Sequence, residues 1–137
     1  MDTSEARALF SAEPSPFTLR ELPEVTVVEL AGELDPVVAD RVSGLLTAAV
    51  DRGLPVVVDC GAVRFGSSTI LGAFYTAHTR AVKKGTRFVL VTDKRVLLRP
   101  LAALGLLDAM VVVPDLPAAL RELELWDLAT QLPDGDR

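Results

Sequence analysis

Three consecutive hydroxyl side chains, Ser67, Ser68 and Thr69, interrupt an apolar stretch, AVRFGSSTILGAF (62–74). Such groups cap helices, attack electrophiles or accept a phosphate. A serine nucleophile needs a base at hydrogen-bond distance, roughly 3 Å. The chain has a single histidine, His78, ten residues further along the same predicted helix. At 1.5 Å per residue that is about 15 Å away, on a different helix face. The strand-to-helix nucleophile elbow G-x-S-x-G is met at Gly66 and Ser68 but carries Ile70 in place of the last glycine. No catalytic residue is assigned on this basis, and the chain is not expected to be an enzyme. His78 reads as a surface or partly buried helix residue.

Other chemistries find fewer residues still. One cysteine, Cys60, and one histidine cannot make an ordinary zinc site, so no metal is expected. Cys60 reads as an inert buried thiol at a strand end. Neither G-x-x-x-x-G-K-[ST] nor G-x-G-x-x-G occurs, so no nucleotide cofactor is expected. A receiver-type phosphoacceptor needs an acidic cluster at the first strand end. Glu29, Glu33 and Asp35 are acidic there, but the acceptor aspartate and partner lysine have no counterpart.

The elements that would hold the hydroxyls follow from periodicity. FTLRELPEVTVVELAG gives two extended runs, Phe17–Leu22 and Val25–Leu30, divided by Pro23-Glu24. Asp35 and Pro36 suit a helix start and Gly53 its exit, with Val38, Val42, Leu45 and Ala49 on one stripe. PVVVD is a short continuous apolar strand. The serine stretch then opens a helix whose apolar residues Ile70, Phe74, Ala77 and Ala81 recur at helical spacing up to Lys83-Lys84-Gly85. RFVLVTD is the next strand, with Asp93 as a cap for the helix KRVLLRPLAALG, which Pro100 should kink or interrupt. AMVVV and a last helix opened by Asp115 and Pro117 complete the order β-β-α-β-α-β-α-β-α. This predicts one α/β domain with a mostly parallel, mixed sheet of about five strands and about four helices. The hydroxyls then lie beyond a strand end, where open α/β sheets gather their sites and a helix N-terminus favours an anion. Capping explains only one of the three.

Composition agrees with a single soluble domain. The 137 residues are half hydrophobic and a quarter charged, with a net charge of −5. Residues 115–137 hold six acids against two arginines and residues 1–15 three against one, leaving 16–114 at +1. No cation cluster is dense enough to predict direct nucleic-acid binding. No run reaches the roughly 20 apolar residues of a membrane span, the N-terminus lacks secretory-signal features, and one cysteine suits a cytoplasmic setting. We divide the chain into a flexible arm at 1–15, a domain at 16–126 and a polar acidic tail at 127–137. Trp126 is expected to pack with Leu123, fixing the last helix to the sheet.

Three blocks in order resemble STAS domains over about residues 16–125. VTVVELAGELDPVVADRVSGLL is similar to a strand ending in G-x-L-D before the first helix. PVVVDCGAVRFGSSTILGAF is similar to the central strand, turn and D-S-S-G-L or S-S-A-G-L sequence. TRFVLVTDKRVLLRPLAALGLLDAMVVVPDLPAAL is similar to the closing elements. Stand-alone members are bacterial anti-sigma factor antagonists. The resemblance implies binding to an anti-sigma factor that is also a serine kinase, reversal by a serine phosphatase, and control of sigma-factor-dependent transcription. It aligns Ser68 with the phosphorylated serine, Ser67 and Thr69 being the alternatives, and Asp35 with an aspartate near the same surface. Asp35, Gly66, Ser67, Ser68, Thr69 and Ile70 are thereby the expected partner-binding residues. Two positions depart from the family pattern: Ser67 where aspartate is frequent, and Ile70 where glycine is. Ile70 is expected to project bulk towards a partner. The alternative is a STAS scaffold that binds partners or self-associates without phosphorylation.

Overall fold

A computed structural model describes residues 17–125. The expected arm at 1–15, Trp126 and the tail at 127–137 lie outside them. The two extended runs form a hairpin, β1 (Phe17–Glu21) and β2 (Thr26–Leu34), paired antiparallel. A single 3-10 turn, Pro36–Val38, leads into α1 (Ala39–Asp51). Then follow β3 (Val56–Gly66), α2 (Ser68–Lys83), β4 (Phe88–Val91), α3 (Arg95–Ala103), β5 (Val111–Val113) and α4 (Leu116–Glu122). The five strands lie in sequence order, β2 to β5 running parallel, which is the expected mixed α/β architecture.

Strand alternation divides the core into two layers. Val28, Leu30, Val56, Val58, Phe88 and Leu90 face the layer that holds α1, α2 and α3. Val27, Val57, Val89 and Val91 face Leu116, Ala119 and Leu120 of α4. Because both faces of the central strands are covered, they read as unbroken valine runs. Asp51 at the end of α1 accepts hydrogen bonds from Arg80 at 2.8 and 3.0 Å, tying α1 to α2. That hydrogen bond holds the Asp51 carboxyl below its ordinary range, and the Lys84 ammonium adds to the effect.

Three local readings change. The strand PVVVD does not stop at Asp59 but runs on to Gly66, because β2 continues to pair with it after β4 has ended at Val91. Two register shifts, each placing an extra residue in β3, mark bulges along this two-stranded extension. Asp93 does not cap α3. Lys94 is its cap residue and has no side-chain cap bond, while the Thr92 hydroxyl accepts from the Lys94 N–H. Pro100 does not interrupt α3, which continues to Ala103; the ring removes only the donor to the Val96 carbonyl.

Cys60 is fully buried, as expected for an inert thiol. Burial pushes the thiol well above its ordinary pKa, and the neighbouring Asp59 carboxylate pushes it further. The folded state therefore keeps the proton where the unfolded chain loses it. This contribution to stability is complete below the unfolded thiol value of about 8.5 and is lost as pH rises above it, by up to about 1.4 kcal/mol per pH unit. Urea midpoints at pH 8 and pH 10 should fall more steeply for the native protein than for Cys60→Ala. Equal slopes would show that the thiol ionises freely in the fold.

Candidate functional site

The site is assembled where two parallel strands end together. Leu34 pairs with Gly66 in the last rung between β2 and β3, and the Ser67 N–H donates to the Leu34 carbonyl at 2.9 Å. Asp35 and Ser67, the next residue on each strand, therefore leave the sheet side by side. Asp35 accepts from the Val37 N–H at 3.1 Å and so fixes the turn before α1. Ser67 caps α2, accepting from the Ile70 N–H at 3.4 Å. The two caps set both helix starts at one end of the sheet.

The hydroxyls now separate by role. Ser67 is half-buried and committed to the cap. Ser68 and Thr69 are exposed on the first turn of α2, and among the described residues neither side chain enters a hydrogen bond. At that turn the early N–H groups lack helical acceptors and the dipole is positive, so added negative charge is tolerated by the helix itself.

Two expected partner residues are turned inward. Ile70 is 0 % exposed and packs with Leu71 and Phe74 in the core layer under α2. The expectation that it projects towards a partner is corrected: with α2 starting at Ser68, position 70 begins the same stripe as Phe74, Ala77 and Ala81. Gly66 is buried as well. A Cβ there would lie 2.8 Å from Leu97 Cδ2, so glycine at this position lets α3 approach the strand end. The structure thus brings together Asp35, Ser67, Ser68 and Thr69 at the surface, with Gly66 and Ile70 beneath them.

Exposed apolar side chains complete the surface, and sequence reasoning missed them. Val37, in the turn after Asp35, is 88 % exposed, and Phe65, two residues before Ser67, is 44 % exposed. Phe65 points outward although Val63, two residues earlier, points inward, because a bulge between them shifts the register; strict alternation would have put both on one face. The aligned first rows of charge are Glu33 and Asp35 on the β2 side and Arg64 on the β3 side, all exposed.

A cleft of about 650 Å³ lies between Thr18, Asp59, Asp93 and Pro114–Pro117 and includes none of Ser67, Ser68 and Thr69. His78 is half-buried on α2, its ring stacked on Tyr75 at 6.1 Å and edge-on to Phe88 at 6.2 Å. Its Nδ1 is buried without a hydrogen-bond partner, so it orients no serine. No helix of the described residues is long and apolar enough to cross a membrane.

The domain is thus a mixed five-stranded α/β fold with an exposed serine at the start of α2. A STAS domain family model matches residues 16–119, and the chain belongs to that family. An anti-sigma factor antagonist from Mycobacterium paratuberculosis has a similar structure, with 26% identity and a TM-score of 0.72 over 79% of this chain and 92% of that one. An anti-sigma factor antagonist STAS domain protein from Planctomyces limnophilus shares the fold at 15% identity, TM-score 0.71, over 79% and 97% of the two chains. The Bacillus cell fate determinant SpoIIAA in its phosphorylated form shares it at 17% identity, TM-score 0.60, over 78% and 98%. Comparison with curated proteins gave no significant match.

Proposed function

We propose that this protein is a cytoplasmic, non-enzymatic anti-sigma factor antagonist. Its unphosphorylated form binds an anti-sigma factor that is also a serine kinase, and phosphate on Ser68 ends that binding. A serine phosphatase restores the binding form. The observation that carries the reading is the division of labour at the helix start. Ser67 supplies the cap, and the adjoining Ser68 hydroxyl is exposed and, among the described residues, without a hydrogen bond. A phosphate there adds about −1.5 to −2 charge. The helix N-terminus accommodates that charge, whereas an interface closed over a neutral serine would have to bury it. The fold is kept and the surface is changed, which is what exchange of partners requires.

The test is to incubate the protein with ATP and each histidine-kinase-like anti-sigma factor of its genome and to map phosphate by mass spectrometry. One phosphate on Ser68 is expected. Modification of Ser67, whose oxygen is held in the cap, would contradict the assignment of roles. Tight binding with no phosphorylation at any of the three hydroxyls would favour the scaffold alternative.

A further inference from the structure

Residues 67–69 run over the surface between two buried anchors, Gly66 and Ile70. The cap bond within this span is long. Ser67 Oγ lies 3.4 Å from the Ile70 nitrogen, beyond the roughly 2.7–3.2 Å of a well-formed N–H···O bond. The presentation of Ser68 therefore rests on how firmly the two anchors are held. Ile70 is set in the core beside Leu71, whose N–H donates to the Ser67 carbonyl at 3.0 Å. Gly66 is held differently. Its backbone is not in the left-handed region, so no turn demands a glycine there; space does. A Cβ at this position would lie 2.8 Å from Leu97 Cδ2 and 3.6 Å from Leu71 Cδ2, so the first turns of α3 and α2 both close on one residue. Leu97 is 0 % exposed and is the first buried residue of α3. The start of that helix has no side-chain cap and is tied to the end of β4, where the Lys94 N–H donates to the Thr92 hydroxyl at 3.2 Å.

We propose that Leu97 is a positioning residue for Ser68: seated on Gly66, it holds the strand end from which the hydroxyl is presented to the anti-sigma factor kinase. A close-packed side chain leaves its neighbour no free volume, so removing Leu97 lets the chain leave β3 at more than one angle. The kinase then meets Ser68 in fewer productive poses, which costs turnover rather than affinity. Leu97 is buried and acts only through Gly66. The inference rests on the switch proposed above and adds to it a residue that lies beneath the docking surface.

The test compares Leu97→Ala with Leu101→Ala, equally buried one turn further along α3. Both should lower the urea midpoint. Amide hydrogen exchange of the whole chain, under conditions where both variants are folded, reads the positioning without any partner. In Leu97→Ala, exchange at Ile70 and Leu71 should quicken about tenfold more than exchange in the middle of α1. In Leu101→Ala the two regions should quicken alike. With the anti-sigma factor that phosphorylates the native protein, Leu97→Ala should lose about tenfold in kcat with KM nearly unchanged. Leu101→Ala should lose less than about twofold in kcat, and Leu97→Met, which keeps the volume, should stay within about threefold of the native value. Where Leu97→Ala does not fold, Gly66→Ala forces the same contact apart from the other side and should show the same pattern. Equal changes in exchange, or equal losses of kcat, in Leu97→Ala and Leu101→Ala would overturn the proposal. A native protein that no such kinase phosphorylates would instead overturn the switch, and exchange alone would then decide whether Leu97 holds Ser68 in place.

Discussion

Ile70→Gly is expected to lower the unfolding free energy by about 5 kcal/mol. The substitution installs the residue that the family pattern carries at this position, yet here the isoleucine is 0 % exposed among Leu71, Phe74 and the sheet. Emptying a buried isoleucine site costs about 2–5 kcal/mol, and glycine in place of alanine in a helix adds about 1. Domains of this size are stable by only about 5–15 kcal/mol, so the variant gives up about a third or more of its stability. Ile70→Val, which removes one methylene, should cost about 1 kcal/mol. Urea unfolding of the three proteins measures both. A loss below about 1 kcal/mol for glycine would mean that the side chain is not part of the core.

Ser68→Asp is expected to leave stability unchanged within about 0.5 kcal/mol and to weaken anti-sigma factor binding about a hundredfold. The carboxylate sits at the positive end of α2 and on the surface of the free protein, so folding has no reason to oppose it. Inside an interface the same charge loses its water and finds no built-in partner, which costs about 3 kcal/mol. Ser68→Ala, which adds no charge, should bind within about threefold of the native protein. Calorimetric titration with one anti-sigma factor separates the cases. Asp and Ala variants that bind alike would remove charge as the basis of the switch.

How much of this was legible in the sequence depends on how local the signal is. The order of elements followed from valine runs and helical stripes, because strands covered on both faces and amphipathic helices declare themselves in their own residues. The Asp35 cap was also legible, since capping is a matter of neighbours. The full length of β3 was not, because it rests on pairing with a distant strand through two bulges. The second bulge also hid Phe65, which it turns to the face opposite Val63. Ile70 was misread for a different reason: the family glycine at its position suggested a surface, although the helical spacing with Phe74 already placed it inside.

The affinity of one anti-sigma factor for the protein carrying a single phosphate on Ser68, compared with the unmodified protein, tests the central claim most directly. Binding weaker by about a hundredfold or more, with the amide spectrum unchanged beyond the start of α2, is the predicted result. Equal affinity of the two forms would contradict it.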